Sequence, residues 1–338
     1  MTINGRRNSV ERGPLRPPSE ARSLLVRVVR NCPWNKCAFC PAYKGEKFSL
    51  RSLDEILADV KQVTSEPGSD KIKHVFLQDA DSLIMPIDRL VSVLRFIQQQ
   101  LPGVERITAY ARSNTLAHRK TSDLKHLREA GLSRVHVGLE SGCDEVLNFV
   151  RKGVTAAAQL EGCKRVSDAG LELCCYVMPG LGGRRLSEQH AFETGRLIAA
   201  IKPNHVRLRT CFVLEGTPLA EAFTNGLFEP MGEEGTVREI RTFLSIIAGT
   251  YTELISDHRI NLLLELRGVL PREYDRLIRT IDHFLELDPE EKKLFIIGRR
   301  LGIIQRLDEL SDDAIRMRIR KEAHRYSAAV PVTKNILY

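Results

Sequence analysis

The chain has 338 residues, of which 43% are hydrophobic and 28% are charged. These fractions are close to those of globular proteins, so they exclude a wholly disordered or fibrous protein. No run of about 18 apolar residues occurs, so we expect no membrane span. The first thirty residues lack the apolar block that a secretory signal requires, which favours a cytoplasmic protein.

Positive charge is concentrated at both ends of the chain. The formal net charge is +8; residues 1–30 hold seven Arg against Glu11 and Glu20, and residues 296–338 are again rich in Lys and Arg. Basic tails bind RNA, phosphate groups or acidic membrane surfaces. Because aromatic residues are not interleaved with these arginines, a solvated arm is the alternative to a nucleic-acid surface. We therefore expect residues 1–21 to form a basic, flexible leader.

Strand and helix signals alternate through the first two thirds of the chain. Residues 23–30 are apolar and β-branched, which predicts a first strand, and residues 53–63 carry apolar side chains at helical spacing. The same unit recurs, with further strands predicted at 73–77, 105–110, 134–139, 171–178 and 205–213. Strands separated by helices in this way pair in parallel, either in a doubly wound sheet or in part of a (β/α) barrel. Both folds bind ligands at the carboxyl ends of the strands.

The pattern changes near residue 230. Residues 236–310 show helical periodicity with little strand character. We therefore expect an α/β domain at residues 22–230 and a helical C-terminal region at residues 231–338. Such a region would cap the α/β domain or shape its substrate pocket.

Three closely spaced cysteines, Cys32, Cys37 and Cys40, follow the first predicted strand. A closed structural zinc site takes four ligands, and a thioredoxin-like pair needs no third cysteine, so both fit less well, with zinc kept as the alternative. Three thiolates suit a 4Fe–4S cluster whose fourth iron has no protein ligand. The other five cysteines lie in segments typical of a core, where cysteine acts as a small buried hydrophobe.

This loop resembles that of the radical S-adenosylmethionine (SAM) superfamily. In that family three cysteines follow the first strand of a partial (β/α)6 barrel, and an aromatic residue precedes the last cysteine, as Phe39 does here. The usual spacing is CxxxCxxC, whereas four residues separate Cys32 from Cys37 in this chain, as in a subset of the family. The resemblance therefore implies an α/β fold, a partial (β/α)6 barrel of the TIM type, with a helical C-terminal appendage.

The resemblance also implies the cofactors and the chemistry. The three cysteines would bind the 4Fe–4S cluster, and its open iron would chelate the amino and carboxylate groups of SAM. One electron, delivered by a reducing partner such as a flavodoxin or ferredoxin, would then cleave SAM to a 5′-deoxyadenosyl radical that abstracts hydrogen from the substrate. The cofactors supply this chemistry, while the protein positions them and excludes water.

The ends of the second and third strands carry the first candidate SAM contacts. Relatives have a glycine-rich segment after the second strand, where this chain has Asp79, Ala80 and Asp81. The resemblance implies that the backbone at Ala80 or a carboxylate, Asp79 or Asp81, meets the SAM amino group. The alternative for Asp81 is a helix N-cap. After the third strand, Arg112 and Ser113 offer a cation and a hydroxyl for SAM, and a surface arginine is the alternative at Arg112.

The fourth strand ends in a more specific segment, GLESG at residues 138–142. It resembles the branch of the superfamily that includes oxygen-independent coproporphyrinogen oxidases and tRNA methylthiotransferases. In that branch this position lies near the SAM ribose, and the carboxylate of Glu140 offers acceptors for two hydroxyl groups. The following segment, RKGVT, implies a cation near the SAM carboxylate, either Arg151 or Lys152.

Later segments provide apolar and polar candidates. The fifth strand leads into a glycine-rich loop that begins at Met178, where an adenine would lie against the backbone. After the sixth strand, Val213 or Leu214 would form an apolar wall for the adenine. Further on, His258 and Asn261 lie three residues apart, and they either touch the substrate or satisfy a polar contact within the fold.

The sequence favours a radical SAM enzyme that acts on a small organic or lipid-like molecule. The basic ends suggest the alternative that the enzyme modifies RNA, so nucleic acid is a possible partner but not the favoured one. A third interpretation is a non-enzymatic iron–sulfur or zinc module. It fits less well, because simple electron transfer normally uses four protein ligands.

Overall fold

The spacing of apolar side chains produces most of the strands and helices that the sequence predicts. The computed structural model describes residues 10–323 and 332–333. The strands of four or more residues are β1 (Leu24–Arg27), β2 (His74–Gln78), β3 (Arg106–Ala111), β4 (Leu132–Glu140), β5 (Glu172–Val177), β6 (His205–Leu208), β7 (Thr252–Ile255) and β8 (Arg267–Leu270). The first six overlap the six predicted strands.

Helices connect these strands, and local sequence sets several of their starts. They are α1 (Leu53–Thr64), α2 (Ile87–Gln100), α3 (Ser113–His118), α4 (Thr121–Glu129), α5 (Asp144–Phe149), α6 (Ala156–Asp168), α7 (Gly183–Ile201), α8 (Pro218–Thr224), α9 (Glu233–Ile247), α10 (Tyr274–Glu286), α11 (Pro289–Arg300) and α12 (Asp313–Glu322). Ser52 and Glu55 form a reciprocal capping box at α1, and Asp288 caps α11. These caps satisfy backbone N–H groups that a helix start otherwise leaves unpaired.

The described chain forms two compact units, and it passes from one to the other within β4. The first unit contains residues 10–35, 42–136 and 165–172. The second unit contains residues 36–41, 137–164, 173–323 and 332–333. Cys32 therefore belongs to the first unit, while Cys37 and Cys40 belong to the second.

In the first unit the strand order is β1-β2-β3-β4, and β1, β2 and β3 are parallel. The pairing places Phe76 of β2 opposite Thr108 of β3. On the same face, β2, β3 and β4 bring Phe76, Tyr110 and His136 together edge to face, with ring centroids 5.0, 5.9 and 6.1 Å apart. These rings form an aromatic core for the first unit.

A short antiparallel pair, Val29–Arg30 with Ser49–Leu50, joins the two ends of the segment that carries the cysteines. We call residues 31–48 the cysteine loop. Because Val29–Arg30 follows β1 almost directly, the loop starts at the carboxyl end of the first parallel strand. This is the edge at which ligands bind in parallel α/β sheets.

The leader is bonded to the rest of the first unit from residue 11 onward, where the Glu11 carboxylate accepts hydrogen bonds from Arg27 and Arg30. Residues 1–9 of the predicted leader lie outside the described residues. The Gln78 side chain forms hydrogen bonds with the backbone of Gly13 and Leu15, and the Glu20 carboxylate lies 3.3 Å from Nε2 of His136. Bonds to these buried side chains connect the segment to the sheet, and the flexibility of the leader stays a prediction from the sequence.

In the second unit the strand order is β4-β5-β6-β7-β8. Strands β5, β6 and β7 are parallel, and β8 runs antiparallel to β7. Val206 of β6 lies opposite Cys175 of β5 and Leu254 of β7, and all three side chains are fully buried. Helices α7 and α9 pack against each other, and Val213–Leu214 pairs in parallel with Val332–Thr333.

The structure confirms the predicted α/β fold with a mostly parallel sheet and many helices. Residues 231–323 are mainly helical, but they also contain β7 and β8, which the sequence analysis did not predict. Since β7 pairs with β6, this region adds to the sheet of the second unit. The boundary between the compact units does not fall near residue 230, where the sequence analysis placed a domain boundary.

Candidate cofactor site

The cysteine loop is closed on itself by asparagine side chains. Asn31 donates from Nδ2 to the Lys47 carbonyl over 2.7 Å, and Asn35 donates from Nδ2 to the Tyr43 carbonyl. The backbone N–H of Asn35 also donates to Sγ of Cys32 over 3.4 Å. Both asparagines have positive φ, 66° and 47°, a conformation that asparagine tolerates better than most residues. These bonds within the first unit give the loop around Cys32 a defined path.

The cysteines of the loop differ from those of the core. Cys32, Cys37 and Cys40 are each partly exposed. Burial, by contrast, raises the pKa of Cys143 and that of Cys175 above the usual value, which disfavours their thiolates. Accessible thiols in a polar loop are the soft donors that an iron–sulfur cluster takes. The three loop cysteines therefore fit the cluster by their chemistry.

Within the described residues, no three His, Cys, Asp or Glu side chains are gathered closely enough to hold a metal ion. The assignment of the loop cysteines as ligands is therefore a proposal made from their spacing and chemistry. Four of the other five cysteines are buried as predicted, whereas Cys211 is partly exposed. The prediction of a buried cysteine is thus corrected at Cys211.

Three of the predicted site residues meet in the second unit. Nζ of Lys152 lies 2.9 Å from Oε1 of Glu140 and 5.7 Å from the centre of the Phe39 ring. Glu140 is the last residue of β4. Gly138 lacks a side chain, and a Cβ atom there would lie 2.2 Å from Oε1 of Glu140. Gly138 therefore allows the Glu140 carboxylate to reach its position beside Lys152.

The structure brings Lys152, and not Arg151, to Glu140. Arg151 is exposed, whereas the side chains of Lys152 and Glu140 are each only 11% exposed. At this burial the two charges lie in a medium less polar than water, so they interact more strongly than at the surface. Lys152 is therefore the better candidate for the cation that the family resemblance implies.

An apolar cluster lies next to these charges. Its buried members include Ala38, Met178 and Val213, and Phe39 packs against it. The Met178 N–H donates to the Glu140 carbonyl over 2.9 Å, which ties the end of β5 to the end of β4. The predicted apolar wall and the predicted polar pair thus share one neighbourhood in the second unit.

Asp79 follows β2, and three donors share its carboxylate. Nη2 of Arg27 lies 2.6 Å from Oδ2, the backbone N–H of Asn31 donates to the same oxygen over 3.1 Å, and Oη of Tyr43 donates to Oδ1 over 3.0 Å. The Asp79 side chain is fully buried. Residues of the first unit therefore enclose this carboxylate, which was one of the candidates for the SAM amino group, together with Ala80 and Asp81.

Asp81 ties the end of β2 to the start of α3. Its fully buried carboxylate accepts hydrogen bonds from the backbone N–H of Arg112 over 3.1 Å and from Oγ1 of Thr115 over 2.6 Å. Burial raises the pKa of this carboxyl to about 6. Ala80 is half-buried, and Ser113 is buried as the first residue of α3. The alternative of an N-cap on the helical turn that follows Asp81 is corrected, because that turn receives no side-chain cap.

Arg112 lies beside the cysteine loop. Its guanidinium carbon is 5.2 Å from the ring centre of Trp34, which follows Cys32 by two residues. Trp is the strongest aromatic partner for a cation. Arg112 is half-buried, and a contact between Arg112 and SAM stays a prediction from the sequence.

Glu239 of α9 orders the loop after β5, and the sequence analysis missed it. Its buried carboxylate accepts hydrogen bonds from the N–H of Gly180 over 2.6 Å and from Oγ of Ser187 over 2.5 Å. A glutamate on an amphipathic helix ordinarily faces solvent. The available signal was its place on the apolar face, next to Ile240 and four residues before Phe243, both of which are buried.

Asn261 and His258 have different surroundings. Oδ1 of Asn261 accepts from N–H and Oγ1 of Thr210 over 2.9 and 3.1 Å, and its Nδ2 donates to the Leu208 carbonyl and to Oγ of Ser256 over 2.8 and 3.0 Å. The Asn261 amide therefore satisfies polar groups of the fold, one of the two roles expected for it. Burial lowers the pKa of His258 to about 4, which keeps its imidazole neutral near pH 7.

Residues 26–195, just over half of the chain, match the Radical SAM superfamily. The chain therefore belongs to this superfamily. Its members use a 4Fe–4S cluster and SAM, so the class of enzyme and the two cofactors predicted from the sequence are confirmed.

Several curated proteins are similar in sequence. The chain is 27% identical over 126 residues to tRNA uridine(34) acetyltransferase of Methanocaldococcus jannaschii, a match that covers 37% of this chain and 23% of the relative. It is 26% identical over 262 residues to the protein of the same name from Methanocaldococcus infernus, covering 64% and 47%. It is 25% identical over 249 residues to biotin synthase of Ruegeria pomeroyi, covering 71% and 74%. The chain thus spans less than half the length of either acetyltransferase relative.

Solved structures share the fold. Coproporphyrinogen III oxidase from Escherichia coli, a radical SAM enzyme, has a TM-score of 0.51 at 13% identity, covering 69% of this chain and 55% of that chain. The radical SAM methyltransferase TsrM from Kitasatospora setae, with cobalamin and a [4Fe-4S] cluster bound, has a TM-score of 0.50 at 14% identity, covering 88% and 61%. At these identities the likeness shows the fold alone.

None of the helices in the described part of the chain is long and apolar enough to cross a membrane. A cytoplasmic location stays a prediction from the sequence.

Proposed function

We propose that this chain binds a 4Fe–4S cluster through Cys32, Cys37 and Cys40 and, together with SAM, performs radical chemistry on a small organic or lipid-like substrate. When bound, the cluster supplies the electron that cleaves SAM to a 5′-deoxyadenosyl radical, which abstracts hydrogen from the substrate. A reducing partner such as a flavodoxin or ferredoxin delivers this electron. The protein's own residues bind SAM, orient it and limit access of water.

The position of Lys152 carries the proposal. Its ammonium group lies between Oε1 of Glu140, 2.9 Å away, and the ring of Phe39, which directly precedes Cys40. A cation next to the cysteine loop can attract the carboxylate of SAM, and the Glu140 carboxylate can accept hydrogen bonds from the ribose hydroxyls. The two kinds of group that SAM recognition requires are therefore adjacent within the second unit.

The apolar cluster supports the placement of the adenine. Met178 and Val213 are buried beside Phe39, and the Met178 N–H is bonded to the carbonyl of Glu140. A planar, weakly polar ring gains free energy by contact with such side chains. The ribose and the adenine of one SAM molecule would thus find polar and apolar partners from neighbouring strand ends.

The extent of the matches favours a small substrate. The match to biotin synthase covers more of both chains than either match to a tRNA uridine(34) acetyltransferase. A relative matched over most of its length shares more of its architecture than one matched over less than half. We therefore place a small organic or lipid-like molecule ahead of RNA.

Modification of RNA is the second candidate. Two of the relatives carry tRNA in their names, and this chain has a formal net charge of +8. If RNA is the substrate, tRNA binding should weaken steeply between about 50 and 200 mM salt, because released counterions drive phosphate binding. Salt-independent or absent tRNA binding would leave the small-molecule proposal standing, and a metabolite comparison of a deletion strain would then identify the substrate.

Anaerobic reconstitution tests the cluster and the ligand assignment together. The full chain is expected to take up about one 4Fe–4S cluster, and Cys32→Ala, Cys37→Ala and Cys40→Ala are each expected to lose it, since three thiolates are the minimum for such a site. Cys143→Ala, at a buried core cysteine, is the matched control and should keep its iron. With dithionite and SAM, the intact chain should form 5′-deoxyadenosine slowly.

Two results would contradict the proposal. Zinc in place of iron in the native protein would exclude the proposed 4Fe–4S cluster. A full cluster that yields no 5′-deoxyadenosine under any reducing condition would make an iron–sulfur sensor or structural role the better account.

A further inference from the structure

The carboxylate of Asp79 connects separate segments of the first unit. Arg27 of β1 reaches Oδ2 with Nε at 2.8 Å and with Nη2 at 2.6 Å. The backbone N–H of Asn31 donates to Oδ2, and Oη of Tyr43 donates to Oδ1. Asn31 directly precedes Cys32, and Tyr43 follows Cys40 by three residues. The buried carboxylate of Asp79 therefore contacts the cysteine loop on both sides of its three cysteines, and we call these two sides the flanks of the loop.

The leader covers the same carboxylate. Gly13 lies so close to Asp79 that a Cβ atom at Gly13 would be 1.9 Å from Oδ1. The Gln78 side chain holds this stretch in place: Oε1 accepts from the Gly13 N–H over 2.9 Å, and Nε2 donates to the carbonyls of Gly13 and Leu15 over 3.2 and 2.6 Å. Only a residue without a side chain fits between the leader backbone and Asp79.

We propose that Asp79 is a positioning residue that fixes both flanks of the cysteine loop, and that Gly13 is required for Asp79 to take this place. The inference rests on the proposed function, because it concerns the loop that would hold the cluster. It replaces the direct contact with the SAM amino group, which was one of the alternatives that the sequence left open for Asp79.

The chemistry of a carboxylate explains why an aspartate suits this position. An ionised carboxylate only accepts hydrogen bonds, and its two oxygens can serve a guanidinium, an amide and a hydroxyl at the same time. Asparagine has nearly the same shape, but its NH2 group would face another donor at one of the two oxygen positions. Alanine would leave Arg27, Asn31 and Tyr43 without this acceptor. Asp79→Ala is therefore the strong variant, and Asp79→Asn and Tyr43→Phe are milder ones.

The first test uses the metal-free full chain, so that it does not depend on the cluster. Hydrogen exchange at residues 31–48 should accelerate by about ten-fold or more in Asp79→Ala, because bonds to charged groups contribute more than neutral ones. Gly13→Ala should have a similar effect, and Tyr43→Phe a smaller one. Gly103→Ala is the matched control, since the nearest atom to a Cβ there lies 3.4 Å away. Exchange in α7 and α9 should stay unchanged in every variant.

The second test uses the reconstituted protein. Asp79→Ala should take up less iron and show an altered electron paramagnetic resonance signal, while the protein that does hold a cluster should bind SAM with near wild-type affinity. If Asp79→Ala keeps full iron and normal loop exchange but binds SAM about ten-fold more weakly or worse, Asp79 is a SAM ligand and the inference is overturned. Normal loop exchange in both Asp79→Ala and Gly13→Ala would also overturn it.

The outcomes separate this inference from the proposed function. If the native protein holds zinc or no metal, the proposed function fails, but the exchange experiment on the metal-free chain still decides whether Asp79 positions the loop. If Asp79→Ala does not fold, Asp79→Asn and Tyr43→Phe decide the question by the same exchange measurement. Equal exchange in these two variants and the wild type would then reject the inference.

Discussion

The two compact units hold their strand ends with different parts of the chain. In the first unit the leader does so, since Gly13 packs against Asp79 and Gln78 binds the leader backbone. In the second unit the C-terminal region does so, since Glu239 binds the loop after β5 and Asn261 binds the end of β6. Segments distant along the chain thus fix the edge at which a parallel sheet binds its ligand.

The units also differ in what they do with an acidic residue at a strand end. Asp79 is fully buried, and three donors of the first unit share its carboxylate. Glu140 keeps 11% of its side chain exposed, and its carboxylate lies 2.9 Å from the ammonium group of Lys152. Exposure and the supply of protein donors, rather than residue type, therefore separate an acid that builds the fold from one that can meet a cofactor.

Removal of the C-terminal region should have the largest effect. A chain that ends after residue 230 loses β7, which pairs with β6, and it loses Glu239 and Asn261. We expect the second unit not to fold, which circular dichroism and hydrogen exchange would show. A chain that ends just before α12 keeps all of these groups and serves as the control. If the shorter chain folds and takes up a full cluster, the C-terminal region is an appendage, and the second unit does not need the bonds from Glu239 and Asn261.

Glu140→Ala should weaken SAM binding while the cluster is retained. Each lost hydrogen bond to a charged group contributes about 1.5–3 kcal/mol, so the affinity should fall by about ten-fold or more. Equilibrium dialysis of the reconstituted variant measures this. Glu145→Ala is the control, because Glu145 is exposed and forms a surface ion pair with Arg185. Unchanged affinity in a folded Glu140→Ala protein would remove Glu140 from the site.

Lys152→Met compared with Arg151→Met tests which cation serves the site. Lys152 is largely buried beside Glu140, whereas Arg151 is exposed. Lys152→Met should reduce SAM affinity by roughly ten-fold, in line with the loss of one charge-assisted hydrogen bond, and Arg151→Met should leave it near the wild-type value. The opposite ranking would assign the SAM carboxylate to Arg151 and would break the contrast drawn between the two units.

Asp81→Asn should have the smallest effect, and it should depend on pH. Burial raises the pKa of Asp81 to about 6 in the folded protein, above the ordinary value of 3.8. The folded state therefore binds this proton more tightly than the unfolded state does. The resulting contribution to the free energy of unfolding is complete below about pH 4 and is lost as the pH rises through 6. The variant lacks this dependence. Between pH 4.5 and 7 its free energy of unfolding should therefore rise, relative to that of the wild type, by on the order of 1 kcal/mol. Urea unfolding of the metal-free chain measures it, and a constant difference across this range would contradict the assignment.

The sequence by itself determined the features that depend on local patterns. Apolar periodicity predicted the first six strands, because short apolar, β-branched segments between helical patterns favour strands. The spacing of Cys32, Cys37 and Cys40, together with the segments at the later strand ends, predicted the family that residues 26–195 match. The GLESG segment also directed attention to Glu140, although the choice between Lys152 and Arg151 stayed open.

Only the tertiary structure decided what the strand-end acids and the C-terminal region do. The sequence left Asp79 as one candidate contact of SAM, since its partner Arg27 lies 52 residues away along the chain. Glu239 was missed because it bonds to Gly180, 59 residues away. Strand β7 was missed because its strand conformation depends on pairing with β6. The physical reason is the same in each case. A hydrogen bond depends on the position of its partner in space, and local spacing carries no information about a partner that distant segments bring into place.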